Sequence, residues 1–156
     1  MLKIGCCGWS YFRREKGEGS VLSCYARRYS LVEVNSTFYC LPKTSTAERW
    51  RVETDAINEN FEFTVKVHRD ITHMMKFGDE AIPVFDKTKE IAERLRVKIL
   101  LFQMARSFTP QDENIKRLER FFNSIDREDF ILVFEVRWKV EWGEDAKKFE
   151  AMVSNM

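Results

Sequence analysis

Phe61-Glu62-Phe63-Thr64-Val65-Lys66-Val67-His68 alternates, with Phe63, Val65 and Val67 on one parity and Thr64, Lys66 and His68 on the other. Successive residues of a strand face opposite sides, so this run reads as a strand with one apolar and one polar face. The same division recurs on either side of it. Val32 and Val34 oppose Glu33 and Asn35; Leu100 and Phe102 oppose Leu101 and Gln103; Leu132, Phe134 and Val136 oppose Val133, Glu135 and Arg137. With a first run at Leu2 to Cys7, strands are expected at Leu2 to Cys7, Leu31 to Asn35, Phe61 to His68, Val97 to Gln103 and Phe130 to Arg137.

Helix-type segments separate these runs, the pattern of a parallel sheet covered by helices. A helix near Val21 to Tyr29 is expected after a Ser20 cap, and a second opens at a capping box of Ser45 and Glu48. A third carries Phe85, Thr88, Ile91, Ala92 and Leu95, with Pro83 in its first turn. The fourth is expected to start with Thr109 as cap and Pro110 at its first position, and to bury Ile115, Leu118, Phe121, Phe122 and Ile125. The fifth spans Glu144 to Val153.

The apolar parity suits the face that helices cover, which leaves the polar parity facing inward. A doubly wound sheet needs apolar residues on both faces, whereas the rim of a barrel gathers inward side chains at the C-terminal strand ends. The expected fold is therefore α/β, an incomplete TIM-barrel-like array of about five parallel βα units forming a single domain over residues 1–156.

Charge is nearly balanced, with 26 basic against 25 acidic residues, so no global field draws the chain to nucleic acid or anionic lipid. Cys6, Cys7, Cys24 and Cys40 include no CxxC spacing, and a reducing cytoplasmic setting is the economical expectation. No apolar stretch is long enough for a membrane span, and no membrane or cofactor role is expected.

Gly8-Trp9-Ser10-Tyr11, the run Val32-Glu33-Val34-Asn35-Ser36-Thr37-Phe38-Tyr39 with Leu41-Pro42, and Phe63-Thr64-Val65-Lys66 leading to Ile71-Thr72-His73 form a distinctive set. Leu101-Phe102-Gln103 and Phe134-Glu135-Val136-Arg137 extend it. Through these residues the chain resembles the domain of unknown function 72, the YecE-like family. The resemblance implies a TIM barrel, distantly similar to xylose-isomerase-type and endonuclease-IV-type barrels, and no settled reaction. The loop after Trp9 is short, Met104-Ala105 replaces the usual Leu-Pro-Pro, and the family's last three strands have no counterpart. An open segment of this kind has unpaired edges, for which a homodimer, a flattened sheet or strands supplied by another chain are remedies. The homodimer is the expectation, and a monomer in light scattering would count against it.

The polar parity supplies the candidate chemistry. Lys66 and Arg137, with Asn35, Ser36 and Gln103, suit a small phosphorylated or carboxylated ligand, and Glu33, Glu135 or Lys66 could move protons. The competing reading pairs Lys66 with Glu135 and Arg137 with Glu33 as structural salt bridges. His68 and His73 lack a recognised metal spacing, so no metal site is expected, and His73 reads as a loop hydrogen-bonding residue. Trp9, Tyr11, Phe38 and Tyr39 could form an aromatic wall on which a base or sugar ring stacks, while Trp9 and Phe38 are at least as readily plugs at the top of the barrel. Beside the basic Arg13, Arg14 and Lys16, that wall keeps open an alternative function in binding single-stranded or damaged nucleic acid. A catalytically incomplete barrel subunit is a further alternative, and Cys7 reads as small buried packing.

Overall fold

The computed structural model describes residues 3–14, 17, 19–127, 129–138 and 144–154. Strands β1 (Gly5–Cys7), β2 (Leu31–Val34), β3 (Glu62–Lys66), β4 (Ile99–Gln103) and β5 (Ile131–Glu135) alternate with helices α1 (Val21–Ala26), α2 (Thr44–Asp55), α3 (Ile82–Arg94), α4 (Asp112–Ser124) and α5 (Glu144–Ser154). The strands lie in sequence order in one sheet, and every neighbouring pair is parallel. The sheet is not closed: β1 and β5 are its edges. This is the expected incomplete TIM-barrel-like array; Leu2, at the start of the first expected strand, lies outside the described residues.

Parity divides the sheet as the sequence indicates. Val32, Val34, Phe63, Val65, Val67, Leu100 and Phe102 are buried against the helices. There they meet Phe85, Ile91 and Ala92 of α3 and Leu118, Phe121 and Phe122 of α4. Phe102 sits at the centre of this layer, with Phe122 and Phe134 rings at 5.2 and 5.5 Å. Such aromatic contacts add to the area they remove from water.

Edge strand β1 is held closely against β2. A side chain at Gly5 would put its Cβ 2.2 Å from the Leu31 carbonyl oxygen, so only glycine permits this approach. The buried Tyr25 of α1 bridges the pair: its hydroxyl accepts from the Cys6 N–H at 2.7 Å and donates to the Leu31 carbonyl at 2.8 Å. Burial pushes the Tyr25 phenol up to about 12.

Two helix starts differ from expectation. Helix α2 begins at Thr44 with the extended Lys43 in the cap position, which places Ser45 inside the first turn, where no capping box forms. Glu48 pairs instead with Arg94 at 3.2 Å. Helix α4 begins at Asp112 after a Gln111 cap, so Thr109 and Pro110 stay in the loop, where the Asn114 amide donates to the Thr109 carbonyl at 2.8 Å. Ser20 does cap α1, accepting from the Ser23 N–H at 3.1 Å, but the helix ends at Ala26 rather than Tyr29. Pro83 lies in the first turn of α3 as expected.

Candidate functional site

Because all five strands are parallel, their C-terminal ends share one rim of the sheet, and register decides which side chains meet there. Cys7 aligns with Glu33 on β1 and β2, and Gln103 with Glu135 on β4 and β5. Between them, the loop after β2 is locked to β3 by Thr37. This buried hydroxyl shares its proton between the Val34 and Lys66 carbonyls, the latter at 2.7 Å. The link fixes Phe38 beneath Lys66, whose ammonium lies 4.8 Å from the ring centroid.

Neither expected salt bridge forms. Arg137 pairs with Glu135 two residues earlier, and the Gln103 amide donates to the same carboxylate at 2.9 Å. Glu135 therefore orients Arg137. Glu33 faces Cys7, whose thiol is raised by that carboxylate first and by burial second, with Lys66 pulling the other way. Cys7 sits beside Glu33 and is not the buried packing residue expected, because edge strand β1 leaves it exposed. Lys66 has no ion pair among the described residues, only the Phe38 ring.

The two histidines do different work. His68 accepts from the Asp70 N–H at Nδ1, at 3.2 Å, which leaves Nε2 to donate to the Tyr39 carbonyl at 3.3 Å. It ties the loops after β2 and β3 together. His73 lies 2.8 Å from the Thr72 hydroxyl through Nδ1 and packs on the edge of Phe38, with centroids 5.2 Å apart. Burial, and then the charges of Lys66, Arg69 and Arg137, hold its imidazole below the usual histidine value. Among the described residues no group of three or more His, Cys, Asp or Glu converges as metal ligands would.

Two cavities stand out at this rim among the described residues. One, of about 460 Å³, is lined by His73, Met104, Arg106, Arg137 and Trp138. The other, of about 290 Å³, is lined by Cys7, Gly8, Trp9, Ser10, Tyr11, Asn35, Ser36 and Tyr39. Gly8, at φ 96°, makes the turn that brings Trp9 back over the sheet end. Besides lining this cavity, Trp9 packs edge-on against Trp50 and Phe63 at 5.0 and 6.4 Å. Phe38 is a buried partition, whereas Tyr11 and Tyr39 are exposed. Arg14 is turned to the Gly19 carbonyl at 3.2 Å, and Lys16 lies outside the described residues.

The family model described as Protein of unknown function DUF72 matches residues 3–155. The chain belongs to the DUF72 family. This DUF72 chain is 29% identical over 131 residues to the UPF0759 protein YecE of Escherichia coli K12, covering 82% of its own length and 46% of the relative. It is 27% identical over 133 residues to the UPF0759 protein YunF of Bacillus subtilis, covering 76% of its length and 45% of that protein. The chain thus spans about half the length of these curated relatives. A crystal structure of a DUF72 family protein from Enterococcus faecalis superposes with a TM-score of 0.72 at 21% identity, over 99% of this chain and 58% of that one. A DUF72 protein from Thermotoga maritima gives 0.68 at 24% identity, over 98% and 62%. These likenesses show the fold.

Three members of the DUF72 rim escape a reading by strand parity, because all lie in loops. Arg106 follows β4, Trp138 follows β5, and Arg69 precedes the turn at Asp70–Met74, its guanidinium 6.0 Å from the Tyr39 ring centroid. The signal available was their position: each lies within a few residues of a C-terminal strand end.

Proposed function

We propose that the C-terminal rim binds a small phosphorylated or carboxylated anion, with Arg137 and Arg106 gripping it and Lys66 adding charge. The carrying observation is the crowding of like charge around one open cavity: Arg106 and Arg137 line it, and Lys66, Arg69 and Arg137 all act on the His73 in its wall. Arg137 is paired with Glu135, but Lys66, Arg69 and Arg106 have no ion pair among the described residues; such like charges beside a cavity repel one another, and an anion lowers that repulsion. Glu135, held by Gln103, keeps the Arg137 guanidinium in place for a two-pronged contact. If chemistry follows binding, Glu33 and Lys66, at the same rim of the sheet, are groups that can move protons, which makes the site enzyme-like. The five βα units act as one folding unit in this reading, which one cooperative urea transition would support.

Titration of the protein with sulfate by calorimetry tests the site. Arg137→Ala is expected to weaken binding about tenfold, the low end for a charged hydrogen bond because Arg137 is half exposed. Sulfate that does not bind, or that binds equally to both proteins, defeats the proposal. The nucleic-acid reading is less well supported, since Arg14 is occupied within its own loop.

A further inference from the structure

The two rim cavities differ in chemistry, and one side chain lies between a wall residue of each. Phe38 contacts Tyr39, in the wall of the smaller cavity, at 5.1 Å between centroids, and His73, in the wall of the larger, at 5.2 Å. Lys66 stands on this partition, 4.8 Å from the Phe38 centroid. Its charge reaches both sides, acting on Cys7 in one cavity and on His73 in the other. Arg69 spans the same boundary, over the Tyr39 ring and near His73.

The larger cavity offers two guanidinium groups. The smaller offers Trp9, Tyr11 and Tyr39 rings interleaved with the Asn35 amide and the Ser10 and Ser36 hydroxyls, and among the described residues no Lys, Arg, Asp or Glu lines it. Groups that both donate and accept match a ligand rich in hydroxyls, and aromatic rings match the C–H faces such a ligand also carries. The larger cavity alone, and the two together, fall within the roughly 300–1,000 Å³ typical of small-molecule sites, and the smaller lies just below it.

We infer that the two cavities are subsites for one ligand, a phosphorylated sugar, with its phosphate at Arg106 and Arg137 and its hydroxylated body against Trp9, Asn35, Ser36 and Tyr39. Lys66, on the partition, sits where the ester oxygen joins the two parts. The inference rests on the anion site proposed above and adds its substrate class.

Calorimetry with inorganic phosphate, glucose, and a panel of glucose 6-phosphate, fructose 6-phosphate and ribose 5-phosphate separates the two claims. At least one sugar phosphate is expected to bind tenfold or more tightly than phosphate. Asn35→Ala combined with Tyr39→Ala, both at exposed or half-exposed positions, is expected to remove that gain while leaving phosphate affinity within twofold. Arg137→Ala should weaken phosphate and sugar phosphate alike. If phosphate binds but no sugar phosphate binds more tightly, or if the gain survives the double substitution, the linked-subsite inference is overturned and the anion site stands. If neither phosphate nor any sugar phosphate binds, both fall. Near-ultraviolet circular dichroism of the double variant, matching the wild type, shows that a lost gain is not lost folding.

Discussion

Removing one oxygen atom should loosen the edge from which the smaller cavity is built. Tyr25→Phe keeps the ring and its packing against Phe12, Tyr29 and Phe61, and deletes only the hydroxyl that joins β1 to β2. Two hydrogen bonds, at 2.7 and 2.8 Å, are lost, and each is worth about 1 kcal/mol net. The Cys6 N–H lies on an exposed strand, so water can replace its partner and the full penalty for a buried orphan does not apply. The expected cost is about 2 kcal/mol, a fall of about 4–8 °C in the thermal midpoint for a chain of this size. The pH profile adds a second readout. A folded phenol near 12, above its ordinary value of 10, stabilises the fold fully below pH 10 and loses that contribution as pH rises toward 12. Thermal scans by circular dichroism at pH 7 and across pH 9 to 11 would measure both. An unchanged midpoint at pH 7, or an alkaline loss as steep in Tyr25→Phe as in the wild type, would refute the bridging role.

Thr37→Val preserves shape but takes the shared proton from the Val34 and Lys66 carbonyls; stability should fall by about 1–3 kcal/mol in urea titration, with sulfate affinity falling too as Lys66 moves. Arg51→Ala removes a buried guanidinium that donates to the Phe61 carbonyl at 2.8 Å and pairs with Asp55 at 2.5 Å. Because Asp55 is a third exposed and keeps Arg96, the loss should be about 2–3 kcal/mol, below the 3–5 of a fully buried broken pair. His73 is neutral at pH 7 because its pKa is lowered; an anion that offsets Lys66, Arg69 and Arg137 raises it, so binding takes up a proton. Sulfate affinity should therefore rise as pH falls from 8 through the bound-state value, level off below the free-state value, and lose this slope in His73→Gln; a flat wild-type profile would contradict it.

The strand parities carried most of the fold, because alternation reports burial directly: Phe63, Val65, Leu100 and Phe102 had to find helices, and they did. Helix starts were less legible. Whether Lys43 or Ser45 occupies the cap position depends on where the chain arrives from β2, which local residue preference does not encode. The rim was readable as a set of residues and not as a set of partners. Alternation places Glu33, Lys66, Gln103, Glu135 and Arg137 at the strand ends, yet pairing depends on stagger between strands. Gln103 aligns with Glu135, so the β5 carboxylate is engaged from the side and by Arg137 on its own chain segment, leaving Lys66 to the Phe38 ring. Loop residues such as Arg106 have no periodicity to betray them.

The inward face itself explains why charge collects where it does. Below the rim it carries Leu31, Ile99, Leu101, Ile131 and Val133, with Ile131 and Val133 exposed on the edge strand, and on β3 Thr64 and, at its foot, the exposed Glu62. Above, the last inward residue is Cys7 on β1, Glu33 on β2, Lys66 on β3, Gln103 on β4 and Glu135 on β5. A polar group low on that face would be costly wherever the face is covered, whereas at the rim water and neighbouring loops supply its hydrogen bonds. Thr64 and the Lys3-paired Glu62 of β3 aside, polar residues on this face collect on the side on which the loops converge, and the loops bring Arg69, His73 and Arg106 to the same place. A set of five strands can position a site of this kind only if its register is fixed, which is the work of Gly5, Tyr25 and Thr37. None of those three touches the anion in the proposed site, so their substitution should alter affinity only through the placement of Cys7, Lys66 and Phe38.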